Sequence, residues 1–134
     1  MRLELTKRAD YAIRTVLALA RAADDERLSA RRVAEEQGIP ERFLAQVMRD
    51  LVRAGLVEGT IGRNGGYRLA RAASDLSLLE IVEAVEGDNR RRTCVLRGGP
   101  CARSGVCDVH EVFAVAQEAL LAQLAKARVG DLVG

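Results

Sequence analysis

The sequence predicts a mostly α-helical fold with one small β-hairpin, and three observations carry that prediction. Apolar residues recur at three-to-four spacing over most of the 134 residues, the period of a helix with one buried face. Only four aromatics (Tyr11, Phe43, Tyr67 and Phe113) accompany a hydrophobic fraction of 49%. Ala, Leu and Val therefore carry the packing, which favours helices. A strand-like stretch occurs once, on either side of the glycine-rich Gly62-Arg63-Asn64-Gly65-Gly66, which reads as a hairpin turn.

Thr6 to about Ala23 is the first helix: Thr6 caps it, and Tyr11, Ala12, Val16, Leu19 and Ala20 form its apolar face. Asp24-Asp25-Glu26 break it. Ser29 caps a short second helix that Gly38 stops, and Ile39-Pro40 forms a tight connection. A third helix runs from Glu41 to about Ala54, with Pro40 near its first turn and Gly55 as its stop. Two helices joined by such a turn have helix-turn-helix spacing. Phe43, Leu44, Val47, Met48 and Leu51 share the core face of the third helix, while Arg42, Ala45, Gln46 and Arg49 form an exposed row. Arg and Gln can read guanine and adenine edges bidentately in a major groove. The hairpin follows directly, with strands Leu56–Ile61 and Tyr67–Ala70, and makes a wing whose tip offers Arg63 to a minor groove or to phosphates.

Residues 1–71 thus form a winged helix-turn-helix domain suited to double-stranded DNA. Charge agrees with this division. Although the net charge is only +2, residues 1–71 carry fourteen Lys/Arg against ten Asp/Glu, and residues 72–134 carry seven against nine. A basic front half joined to an acidic back half suits a nucleic-acid-binding end attached to something else.

Residues 72–134 open with a buried helix over Leu76 to Val85, closed by Gly87-Asp-Asn. A loop of about twenty residues, from about Gly87 to Cys107, follows. A loop that long inside a compact unit has a function or is disordered. The longest helix runs from Asp108 to about Ala127. Val109, Val112, Phe113, Ala116, Leu120 and Leu124 form one stripe, which Val115, Ala119 and Ala122 widen. That is more apolar surface than one small domain needs, and the same helix of a second copy is the simplest partner. The fold expectation is therefore a winged helix-turn-helix domain plus a long C-terminal dimerisation helix.

The loop holds the chemistry. Cys94, Cys101, Cys107 and His110 are all the cysteines and the only histidine of the chain, spaced C-x6-C-x5-C-x2-H within seventeen residues. Thiolate and imidazole are soft-to-borderline donors, and their clustering signals iron, zinc or an iron–sulfur centre. An odd cysteine count argues against a disulfide set. His110 follows Cys107 by three residues, so the two project to one side if the helix reaches back that far. Arg90-Arg91-Arg92 precede the first cysteine and either stabilise thiolates or form a solvated charge run. Zinc on three cysteines and a histidine is chemically reasonable, but the close cysteine pairs usual for zinc are missing. An enzyme is excluded: one histidine, no serine–base pair and no phosphate-binding glycine loop leave little for catalysis. No apolar run approaches the roughly 18 residues of a membrane span, and the first residues do not lead into a signal peptide. The expectation is a soluble, cytoplasmic protein without a membrane partner.

These residues together resemble the Rrf-two family of bacterial winged-helix regulators, which includes IscR-, NsrR- and RirA-like members. The resemblance rests on Met1-Arg-Leu, Asp10-Tyr-Ala-Ile-Arg14, Leu44-x-Gln46, Gly55-Leu-Val57 and Gly62-x-x-Gly65-Gly66-Tyr67. The three-cysteine loop and the closing Val129-Gly-Asp-Leu-Val133 complete it. It implies a homodimer on a pseudo-palindromic operator, with an iron–sulfur cluster on Cys94, Cys101 and Cys107. For the fourth ligand it implies either His110, in the C-x2-H pattern of IscR-like members, or Asp10, matching the acidic residue that NsrR-like members take from the partner's first helix. A 2Fe–2S cluster is favoured, because imidazole suits it, and 4Fe–4S stays open. The expected function is a DNA-binding regulator, in keeping with repression, that senses iron or cluster status, nitric oxide or redox state. The alternative is a zinc-binding or thiol-switch regulator. Two departures from the family pattern stand out. The first cysteine spacing is x6 where several members have x5, and Ile61 stands where an arginine often precedes the first wing glycine.

Overall fold

A computed structural model of the chain describes residues 4–87 and 107–134. The order is α1 (Lys7–Arg21), α2 (Ala30–Gln37), α3 (Glu41–Arg53), β1 (Val57–Thr60), β2 (Gly66–Leu69), a 3-10 turn (Ala73–Asp75), α4 (Leu78–Glu86), α5 (His110–Lys126) and α6 (Val129–Val133). The 3-10 turn and α6 had no separate sequence signal, each being shorter than two helical turns. Among the described residues no helix is long and apolar enough to cross a membrane.

The caps act as their residue types dictate. Thr6 Oγ1 accepts from the Ala9 N–H and Ser29 Oγ from the Arg32 N–H, each satisfying a donor that the first helical turn leaves open. Gly38 closes α2 at φ 64°, a left-handed conformation that glycine adopts without a Cβ clash. Ser77 caps α4 through a reciprocal capping box with Glu80, so the helix begins at Leu78, two residues later than the expected Leu76.

The core is a contiguous cluster of small and branched residues. Ala12 and Val16 of α1, Val33 of α2, and Leu44, Val47, Met48 and Leu51 of α3 meet Leu56 and Val57 at the wing root. Leu76, Ile81 and Val129 complete it from the C-terminal half, so α4 and α6 pack onto α1 and share one core with the helix-turn-helix. Leu76 and Val129 are joined further by the Val129 N–H donating to the Leu76 carbonyl at 2.8 Å. Phe43 departs from expectation: it lies at the surface. At 100° per residue it falls on the rim of the stripe formed by Leu44, Val47, Met48 and Leu51, so the core does not enclose it.

The wing is an antiparallel pair with Val57 opposite Leu69 and Thr60 opposite Gly66. Leu28 adds a third strand-like bridge by exchanging backbone hydrogen bonds with Tyr67 at 2.9 and 2.8 Å. Gly66, at φ 140°, makes that approach possible, since a Cβ there would lie 2.9 Å from the Leu28 carbonyl oxygen.

The last long helix does not bury the expected stripe. Leu121 is its one buried residue among those described, while Val112, Val115 and Leu120 are exposed. The segment expected to form the ligand loop lies outside the described residues apart from its ends.

Candidate nucleic-acid interface and metal centre

The row expected on the third helix is where the sequence placed it. Arg42, Ala45, Gln46 and Arg49 are all exposed along the outer side of α3. The helix that carries them is held from behind by its four buried residues, which gives the row a rigid base. The Arg42 guanidinium rests over the Phe43 ring at 5.0 Å, and Phe43 lies 6.3 Å from the Tyr11 ring of α1. Phe43 therefore supports an arginine instead of filling the core, a contact the sequence pattern missed because the helical period alone does not resolve a rim position.

Charge is sorted between the helices. On α2, Arg31 pairs with Glu35 at 3.1 Å, and Arg32 pairs with Glu36 and Glu26, both at 2.8 Å. The hydrogen bond from Arg32, followed by the one from the Ala23 N–H, holds Glu26 below the ordinary carboxylate range. Asp50 on α3 is turned inward, largely buried between Arg8 of α1 and Arg53. By contrast Arg49 and Arg63 have no acidic partner among the described residues. Arg63 stands exposed on the turn between β1 and β2, and an Arg68–Glu58 pair ties the two strands together behind it. A guanidinium without an internal partner keeps its charge for an external anion.

Of the expected metal ligands, Cys107 and His110 lie one backbone turn apart. His110 opens α5 and donates its backbone N–H to the Cys107 carbonyl at 3.1 Å, so a single turn separates half-buried Cys107 from exposed His110. Thiol and imidazole one turn apart form a donor pair that suits iron or zinc. Cys94 and Cys101, like Arg90-Arg91-Arg92, lie outside the described residues. Asp10 is on α1, half exposed, with its carboxylate accepting from Arg14 at 2.9 Å. Arg14 also donates to the Gln37 carbonyl at 2.6 Å and lies over the Tyr11 ring at 5.2 Å. Coordination by Asp10 therefore competes with an existing ion pair. Among the described residues no three His, Cys, Asp or Glu side chains converge.

A family model described as Rrf2, iron-dependent transcriptional regulator, matches residues 5–134. The chain belongs to the Rrf2 family. It is 36% identical over 132 residues to the HTH-type transcriptional repressor NsrR of Streptomyces coelicolor, a match covering 98% of this chain and 88% of that protein. It is 30% identical over 131 residues to protein rrf2 of Nitratidesulfovibrio vulgaris, covering 98% and 87%. Among solved structures, CymR, the global cysteine regulator of B. subtilis, superposes with a TM-score of 0.82 at 21% identity, covering 98% of this chain and 97% of that one. T. potens IscR gives 0.77 at 24% identity, covering 98% and 86%. The expected winged-helix fold and family resemblance are both borne out. An Rrf2-family chain is a DNA-binding transcriptional regulator and not an enzyme.

Proposed function

We propose that this Rrf2-family regulator works as a homodimer whose affinity for a pseudo-palindromic operator is set by an iron–sulfur cluster. Cys94, Cys101 and Cys107 are its ligands, with His110 as the fourth in preference to Asp10 of the partner subunit. The observation that supports this most is the Cys107–His110 turn at the head of α5, which puts two metal donors at the root of a helix whose outer face is apolar. A bound cluster, 2Fe–2S in preference to 4Fe–4S, supplies sensitivity to iron supply, nitric oxide or redox state.

The chain's own residues do the rest. Residues 1–71 read DNA: Arg42, Gln46 and Arg49 face a major groove, and Arg63 reaches the adjoining minor groove or its phosphates. Residues 72–134 hold the ligand set and pair the two protomers through α5. The relative named a repressor favours repression as the outcome of binding.

The test is the visible absorption spectrum of anaerobically purified protein, with iron and acid-labile sulfide counted per chain. A coloured protein with both elements, bleached in Cys101→Ala and altered in band position by His110→Ala, is expected. A colourless protein that retains zinc through dialysis would move the reading to a zinc regulator. A metal-free protein after anaerobic reconstitution would move it to a thiol switch.

A further inference from the structure

Ile61 is fully exposed, at a relative accessibility of 101%. Of the other exposed β-branched residues, Val52 on α3 is only partly open, and Val112 and Val115 lie along a helix face that a second protomer can cover. Ile61 projects from the wing tip, between Thr60 and Gly62 and two residues before Arg63. The tip is narrow and tied down. The Gly65 N–H donates to the Gly62 carbonyl at 3.0 Å, and a Cβ on Gly65 would come within 2.2 Å of the Thr60 carbonyl oxygen. So tight a turn leaves the Ile61 side chain entirely in water and open to an external surface.

Its neighbour says which surface. A branched aliphatic two residues from an exposed guanidinium on one tight turn matches a duplex minor groove. The cation sits in the negative potential, and the aliphatic lies against deoxyribose and base edges. The guanine 2-amino group projects into that space as a donor that an isoleucine cannot satisfy, whereas A·T pairs carry no such group. We propose that Ile61 is a specificity-determining residue of the wing, selecting base pairs that lack the guanine 2-amino group. The inference rests on the wing-to-minor-groove reading above and narrows it to one residue and one chemical group.

The experiment uses the full-length dimer and a duplex recovered by selection from a randomised pool, with the wing-facing step located by hydroxyl-radical footprinting. That step is then made A·T, G·C or inosine·C, the last having the minor-groove face of A·T with no 2-amino group. The native protein is expected to hold A·T and inosine·C alike and to lose about tenfold on G·C. Ile61→Ser is expected to bind A·T about tenfold more weakly, to treat the three steps alike, and to keep the native salt dependence. Because Ile61 touches no core, its unfolding midpoint should not move. Arg63→Ala is the control for the wing itself and lowers the salt slope by about one per protomer.

A selected operator with G·C at the wing-facing step would overturn the inference, as would an Ile61→Ser protein that still rejects G·C. An Ile61→Ser protein with a changed sedimentation coefficient would overturn it in favour of a contact between protomers. If Arg63→Ala leaves the salt slope unchanged, the wing-to-groove reading fails as well, and the two failures are told apart.

Discussion

Glu80 does two jobs from one position. Its carboxylate accepts from the Ser77 N–H at 2.9 Å to close the α4 cap, and from Arg71 at 2.8 Å to tie the end of the wing to that helix. Partial burial works against the charged form, but the Arg71 guanidinium and the Ser77 hydrogen bonds outweigh it and hold Glu80 below the usual carboxylate range. A carboxylate depressed by folding contributes stability that is present above its unfolded pKa and is lost as pH falls through the folded one. Glu80→Gln keeps a capping side chain but no titrating group. Its deficit in urea unfolding midpoint is therefore expected at neutral pH and to shrink as pH falls through and below the ordinary carboxylate range. A deficit independent of pH would mean that the charge of Glu80 stabilises nothing. Single residues also mark where sequence reading stops. Ser29, Gly38 and the Arg42–Gln46–Arg49 row are local chemistry and were legible. Phe43 was not, because whether a rim aromatic faces core or arginine depends on the neighbouring helix, here on Tyr11.

At the scale of elements, α5 shows what periodicity leaves open. Apolar residues run nearly all round it, so the pattern gives length and helicity but no rotation. The sequence grouped Val112, Ala116 and Leu120 with Phe113 and Leu124. In the fold Leu121 turns inward, and Val112, Val115 and Leu120 turn out. An apolar outer face on a helix of this length marks an interaction surface, which in the proposed account the same helix of a second copy covers. Val115→Glu sets two carboxylates into that interface, where like charges cost on the order of 3 kcal/mol, or roughly a hundredfold in dimer dissociation constant. Sedimentation equilibrium should show monomer for the variant at concentrations where the native protein is dimeric, with the helical circular dichroism retained. An unshifted dimer would place the interface elsewhere. The short α6 was illegible for a different reason: its Val129 is fully buried, but five residues carry too little pattern to announce a helix.

The whole molecule joins its two proposed functions through one core. Leu76, Ile81 and Val129 pack with the helices that bear the proposed DNA-reading face, and the cysteine segment begins where α4 ends and finishes where α5 starts. In the proposed account a change in that segment reaches α3 through α4, whose Ile81 shares a core with α3, as a two-state regulator requires. The winged helix-turn-helix was legible from spacing, because its two helices and glycine-rich wing are each written in contiguous residues, whereas the family came from a resemblance of motifs. How the proposed ligand set would close was not legible, since His110 and Asp10 are a hundred positions apart and belong to different elements. The coupling itself is tested most directly by titrating one selected operator duplex with anaerobic cluster-loaded protein and with cluster-free protein, at a single salt concentration. The account predicts affinities that differ by at least about tenfold, corresponding to a coupling of about 1.4 kcal/mol, and a difference that vanishes in Cys107→Ala. Equal affinity of the two forms would contradict it.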